Sequence, residues 1–298
     1  MLTLAILVPL AGAALLMMAS GLGLRAARWT AVAFAAVPLL LLVIVWAGFD
    51  NGPGAPAFQA TAEVPWIPSL GVAWRVGVDG ISLALALMSA LLFVGCVAWP
   101  MENPDRFRAY YAWFLFLECV SLGLFLVLDL LLFYVFFDLS LVGMFFLIGR
   151  WGHGEAERAA LKFFIYTLAG SLAILLAIIA LVLSADPVTF DMRALIAMQP
   201  LAGMDLRGGL ILLGFVLGFA VKTPLFPLHT WLPDAHTEAP TAGSVILAGI
   251  LLKMGAYGFL RVSLPILPEA VQLFVRPMLV ISVIAIVYGA YVTLVQTD

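Results

Sequence analysis

Charge is scarce in this chain. Only 10% of its 298 residues are Asp, Glu, Lys or Arg, and 65% are hydrophobic. Soluble domains carry about 25% charged residues. With a mean hydropathy of +1.17, an ordinary soluble globule is excluded and a polytopic membrane protein is implied. The formal net charge of -3 gives no footprint for nucleic acid. Cysteine is nearly absent: Cys96 and Cys119 lie apart in apolar runs, and there are three histidines. This supplies no Cys-x-x-Cys and no ligand set for haem, zinc or an iron–sulfur cluster. Neither GxxxxGK[ST] nor GxGxxG after a strand occurs. The sequence therefore points to no cofactor in this chain, and the energy for any transport would come from a gradient or from partner subunits. No basic segment precedes the apolar run Met1–Ser20, so it reads as a first spanning helix and not as a cleaved signal.

A spanning helix needs about 20 mostly apolar residues. Nine runs qualify: 2–20, 29–49, 79–99, 110–128, 130–149, 161–184, 207–232, 241–262 and 272–295. The expected fold is an all-α membrane helix bundle of about nine spans, with the seventh broken at Pro224, Pro227 and Pro233. Arg25, Arg28, Arg106, Arg108, Arg150, Arg158 and Lys162 fall on one side of such a bundle. Asp50, Glu63, Asp186, Asp191 and Asp205 fall on the other, against Arg75 and Arg193. The excess of basic residues marks the cytoplasmic side, which places the N-terminus outside and Asp298 inside.

Lysine is rarer still, with three in the chain. Lys253 is in the middle of GSVILAGILLKMGAYGFLRV, about 15 Å from either end of a helix, too deep to snorkel. It is expected to face a bundle interior, as a proton carrier or in a static salt bridge. Lys222 ends another run and is followed by TPLFPLH. Two prolines at a lysine imply a helix broken inside the membrane, tolerated where backbone is buried in protein or lines a cavity; a packing kink is the plainer reading. Asp138, in LLLFYVFFDLSLVGMFFLIG, is expected to pair with Lys222, or else with a hydroxyl or backbone group. Glu118 is a relay or a locally satisfied neutral acid. His229 is a relay or a structural histidine, and Lys162 a path residue or a snorkelling one. Asp129 reads as a helix-hairpin boundary, and Asp234, His236 and Glu238 as a solvated turn or an inner mouth. Buried ionisable groups at membrane depth are costly and mark ion paths.

The run GFAVKTPLFPLHTWLPDAHTEAPTAGSVILAGILLKMGAYGFLR (218–261), FYVFFDLSLVGMFFLIGRWG (133–152) and VDGISL (78–83) resemble the chain M family of bacterial NADH:quinone oxidoreductase, respiratory complex I, whose mitochondrial counterpart is subunit 4. The resemblance implies a proton-pumping subunit of fourteen helices, with two inverted five-helix repeats and a broken helix in each. It implies that Asp138 pairs with Lys222, that Lys253 leads to a second half-channel, and that Lys162 and Glu118 match lysine and glutamate positions of the sixth and fourth helices. Partners would be the other membrane subunits, including antiporter-like chains L and N, in the lipid of a bacterial inner membrane. NADH, FMN, iron–sulfur clusters and quinone would sit in partner subunits. Residues 1–109 would be three N-terminal spans, 110–262 one complete repeat and 263–298 the first helix of the next. A multisubunit sodium/proton antiporter or a membrane-bound hydrogenase complex shares the module. One departure stands out: Asp138 occupies a position where the family has glutamate.

Overall fold

The computed structural model describes residues 1–101, 105–203 and 206–296; Asp205 and Asp298, used above to orient the chain, lie outside them. Thirteen α-helical segments and one β-hairpin are present among these residues. The N-terminal helices are α1 (Leu2–Met18), α2 (Leu24–Ala47), α3 (Gly80–Ala98) and α4 (Phe107–Leu126). They are followed by α5 (Leu130–Trp151), α6 (Ala156–Val182), the short α7 (Met192–Met198) and α8 (Leu206–Lys222). After the break come α9 (Leu232–Glu238), α10 (Thr241–Ile246), α11 (Leu252–Gly258), α12 (Leu264–Ile266) and α13 (Pro268–Val295).

The protein is a multi-pass membrane protein. Seven of the nine expected runs form helices long and apolar enough to cross a bilayer, counting Thr241–Ile266 as one. The first and seventh runs form helices of 17 residues each. The seventh run is not helical to residue 232: α8 ends at Lys222, and the chain reaches α9 through irregular backbone. Without its amide hydrogen, proline cannot continue the ladder. Pro224 and Pro227 thus stop the helix where the sequence marked it.

Two features depart from an all-helical chain. The segment between α2 and α3 folds into an antiparallel hairpin of β1 (Gln59–Ile67) and β2 (Val72–Val78), turning at Gly71, whose φ of 71° favours glycine. The eighth run is a relay of α10, α11 and α12 joined by two π-helical turns, Leu247–Leu251 and Phe259–Ser263.

Helix α4 is the hub, packed by α1, α2, α3 and α5, and buried at almost every position. From it the packing runs outward through α5 and α6 to α8. Close approach of α6 and α8 depends on Gly218: a Cβ there would lie 2.6 Å from the Gly170 carbonyl oxygen. The GxxxG spacing at Gly214 and Gly218 thus serves helix contact. At the far edge, α13 packs on α8 and buries only Ala270.

The two ends of the bundle differ in charge. At one end Arg75, on β2, bonds Glu63 at 2.8 Å and Asp129 at 2.8 Å, and lies 3.5 Å from Asp191. Arg193 closes the cluster onto Asp191 and Glu63. At the other end Arg108 reaches the Ala19 carbonyl, Arg150 pairs with Asp105, and Lys162 pairs with Asp234.

Candidate functional site: a buried lysine at a helix break

Lys222 is the last residue of α8 and is 1% exposed. Its Nζ donates to Ser140 Oγ at 2.9 Å and faces the rings of Phe137 and Phe163 at 5.1 and 6.0 Å. Ser140 lies ten residues into α5, so the lysine sits about 15 Å along that helix from its start. Ser140 is committed in turn, donating to the Phe137 carbonyl at 2.6 Å. Trp231 Nε1 donates to the Val221 carbonyl at 3.0 Å and packs on Phe163 at 5.2 Å, which ties the far side of the break back to α8.

The expected direct pair between Asp138 and Lys222 is not made: Lys222 takes the Ser140 hydroxyl instead. Asp138 and Ser140 are two residues apart, about 200° around α5, and a short aspartate side chain cannot reach back. Asp138 interacts instead with the Tyr134 hydroxyl, one turn earlier, which also meets Ser171 of α6. Its Oδ1 is buried without a hydrogen-bond partner. The two charges still act on one another through space.

Glu118 is fully buried in α4, and neither carboxylate oxygen has a hydrogen-bond partner. His229 lies within the break with Nδ1 buried and unpartnered, its ring 5.3 Å from Tyr288 of α13 and 5.7 Å from Phe226. Lys162 pairs with Asp234 of α9 at 2.6 Å, across a cleft of about 480 Å³ lined also by Glu155, Arg158 and Glu238. The polar turn therefore does more than meet solvent.

Lys253 overturns an expectation. It lies at the surface of the chain and not in its interior, with Nζ donating to the Ala248 carbonyl at 2.6 Å. Ala248 is inside the first π turn. Widening the helix there displaces the usual i→i+4 bonding and offers a carbonyl to the lysine. The candidate residues therefore fall in separate places: Lys222 with Asp138 nearby, Glu118 alone, His229 against α13, Lys162 with Asp234, and Lys253 outside.

Sequence reasoning missed Arg261, which is 6% exposed near the end of the eighth run. Its Nη2 pairs with Asp79 at 2.6 Å and its Nε donates to the Tyr257 hydroxyl at 2.9 Å. That hydroxyl donates to the Phe125 carbonyl at 3.0 Å. Arg261 is only five residues from the end of the Thr241–Ile266 span, a place where a snorkelling arginine is the ordinary reading. Asp79 also caps α3 through Ser82. Burial raises its pKa, but the hydrogen bonds from Arg261 and Ser82 outweigh it and hold the carboxyl below its ordinary value. Asp191 is lowered likewise, Arg193 and Arg75 overcoming burial. Asp129 goes the other way: it is fully buried, and burial wins over the Ala73, Leu131 and Leu132 amides and the Arg75 charge. It caps α5, as its boundary position suggested.

The sequence and the fold have known relatives. The family profile described as "NADH:quinone oxidoreductase/Mrp antiporter, TM" matches residues 127–298. The chain is 42% identical to NADH-quinone oxidoreductase subunit M of Rhodobacter capsulatus over 97% of its own length and 58% of the relative's. It superposes on a chain of respiratory complex I from Thermus thermophilus with a TM-score of 0.86 and 32% identity, covering 100% of this chain and 60% of that one. It shares a fold with a chain of the Mrp complex from Dietzia sp., at TM-score 0.74 and 24% identity over 92% of this chain and 30% of that one. The chain thus spans about three fifths of the complex I relatives it matches. The profile covers more than half of the chain, and on that match the chain belongs to the NADH:quinone oxidoreductase/Mrp antiporter family of membrane subunits.

Proposed function

We propose that the chain is a proton-translocating membrane subunit of an NADH:quinone oxidoreductase, driven by quinone reduction in partner subunits. The observation that carries this reading is Lys222, buried at mid-membrane depth with one hydroxyl as its hydrogen-bond partner. Such an ammonium is held by few groups, so its protonation responds to nearby charge. Asp138 is the nearby charge. When a partner subunit draws the field of Asp138 away, Lys222 releases its proton; when the field returns, it reloads. The Lys162–Asp234 cleft is the entrance on the basic side, and Lys253 receives the released proton. An exposed lysine at this depth implies a neighbour that covers it. Glu118 and His229 stand as further relay groups. The partners are the other membrane subunits, including chains L and N, and the NADH, FMN, iron–sulfur clusters and quinone belong to other subunits. Residues 110–262 form one complete repeat, after three N-terminal spans in 1–109, and 263–298 supply the first helix of the next repeat. The membrane is a bacterial inner membrane, and the N-terminus is outside.

The test is Lys222→Ala in the assembled complex, followed in inverted vesicles with a pH-sensitive dye. Proton movement coupled to NADH oxidation is expected to disappear, while Asp138→Glu retains it. Unchanged pumping in Lys222→Ala would overturn the proposal.

A further inference from the structure

We propose that the groove between α1, α4 and α5 is a binding site for one anionic phospholipid, with its phosphodiester at Arg108 and an acyl chain in the groove. The groove has a volume of about 260 Å³ and is lined by Leu10, Ala13, Met17, Ala112, Trp113 and Phe116 among others. Its lining is apolar throughout. It opens sideways, since Leu10 is 39% and Met17 60% exposed. On α1 it runs from mid-helix towards the C-terminal end, and on α4 it lies within the first turns. It therefore reaches from the bilayer interior up to one membrane surface and stops there.

At that surface end the chain is basic. Arg108, one helical turn before Ala112, reaches over the end of α1 and donates Nη1 to the Ala19 carbonyl at 2.8 Å. Among the described residues, Arg25, Arg28, Arg106 and Arg108 form no ion pair, while neighbouring Arg150 and Asp105 satisfy each other. The Arg28 Nε is buried without a hydrogen-bond partner, as is the hydroxyl of Tyr111, with which Arg28 interacts electrostatically. Exposed Trp29 and Trp99 stand beside this end, at 57% and 59%, with the Arg28 guanidinium 5.6 Å from the Trp29 ring. Tryptophan and arginine at this height mark the headgroup layer. Unpaired guanidinium groups in that layer call for a phosphate, and basic pockets between helices select anionic headgroups.

Charge decides the occupant. A protein helix docking here would have to bring acidic residues to the interface and a short apolar ridge below them. A phosphatidylglycerol-type lipid brings both in one molecule, with the negative charge attached to the chain that fills the groove. The fixed bond from Arg108 to Ala19 orients its guanidinium over the groove mouth, so the remaining N–H donors are free for phosphate oxygens.

The experiment uses the assembled membrane complex and two photoactivatable lipids with identical diazirine-bearing chains, one phosphatidylglycerol and one phosphatidylcholine. Crosslinks are expected in peptides covering Leu10–Met17 and Ala112–Phe116, with phosphatidylglycerol favoured by about fivefold, the discrimination of one arginine at a membrane surface. Arg108→Gln is expected to abolish that preference. Ala14→Phe, which fills the exposed groove wall, is expected to abolish labelling at these peptides while labelling elsewhere continues; it decides the matter if Arg108→Gln does not assemble. Excess inorganic phosphate is expected to leave labelling unchanged. Equal labelling by the two lipids, persistence of the preference in Arg108→Gln, persistence of labelling in Ala14→Phe, or displacement by free phosphate would each overturn the proposal.

Discussion

At the scale of the residue, Lys222 and Ser140 act as a unit. Removing one partner of a buried hydrogen bond leaves the other unsatisfied, at a cost of about 1–3 kcal/mol or more when it is charged. Ser140→Ala is therefore expected to lower the thermal unfolding midpoint of the purified complex and to slow proton pumping, whereas Ser140→Thr, which keeps the hydroxyl, retains both. Equal behaviour of the two variants would remove Ser140 from the site. Sequence made Lys222 and Asp138 visible because charge inside an apolar run stands out. It did not reveal Ser140, because a serine in a membrane helix is commonplace, and the choice between a carboxylate and a hydroxyl as partner depends on which face of α5 meets α8. For Lys253 the length of the apolar run indicates depth but not direction, and depth alone suggested burial.

Among the elements, the break after α8 is held by α11. A Cβ on Gly255 would meet the Thr223 hydroxyl and lie 2.8 Å from the Phe219 carbonyl oxygen. Gly255→Leu is expected to push α11 off the break and destabilise the protein by about 1–3 kcal/mol, as overpacked cores do. This is read as a fall in unfolding midpoint together with lost pumping. A variant with wild-type stability would show that the contact is slack. The spanning helices were legible because long apolar runs leave few alternatives in a bilayer. The hairpin was not. Strand β1 is almost wholly exposed, and β2 is fixed by tertiary bonds such as the Leu128 amide to the Arg75 carbonyl at 2.9 Å. The two π turns were equally hidden, since five residues of altered periodicity do not disturb a hydrophobic pattern.

For the molecule as a whole, the acid-rich end sets the response to pH. Asp79 and Asp191 have folded-state pKa values below the ordinary aspartate value of 3.8. They stabilise the fold above that value and lose this as pH falls through their folded values. Asp129, raised by burial, has the opposite sign: its contribution declines as pH rises from 3.8 through its folded value. Wild-type protein in detergent is expected to lose stability below about pH 4. Asp79→Asn strands the buried Arg261, so it is expected to be less stable near neutral pH and to change less on acidification. Tryptophan fluorescence during acid titration measures both. An acid response identical to that of wild type would show that Asp79 contributes nothing to it.

The π turns on either side of α11 have a consequence for length. Each holds one residue more than an α-helical turn would need. Deleting a residue inside Leu247–Leu251 would convert that turn to ordinary helix and leave the hydrogen bonding on both sides intact. In a regular span the same deletion throws the whole downstream face out of register. Here the deletion would be absorbed locally: four α-helical residues turn about as far as the five of the wider turn, so Lys253 would keep its facing relative to α10. The eighth run is thus a place where this chain could lose a single residue and still cross the membrane with its charge pointing the same way.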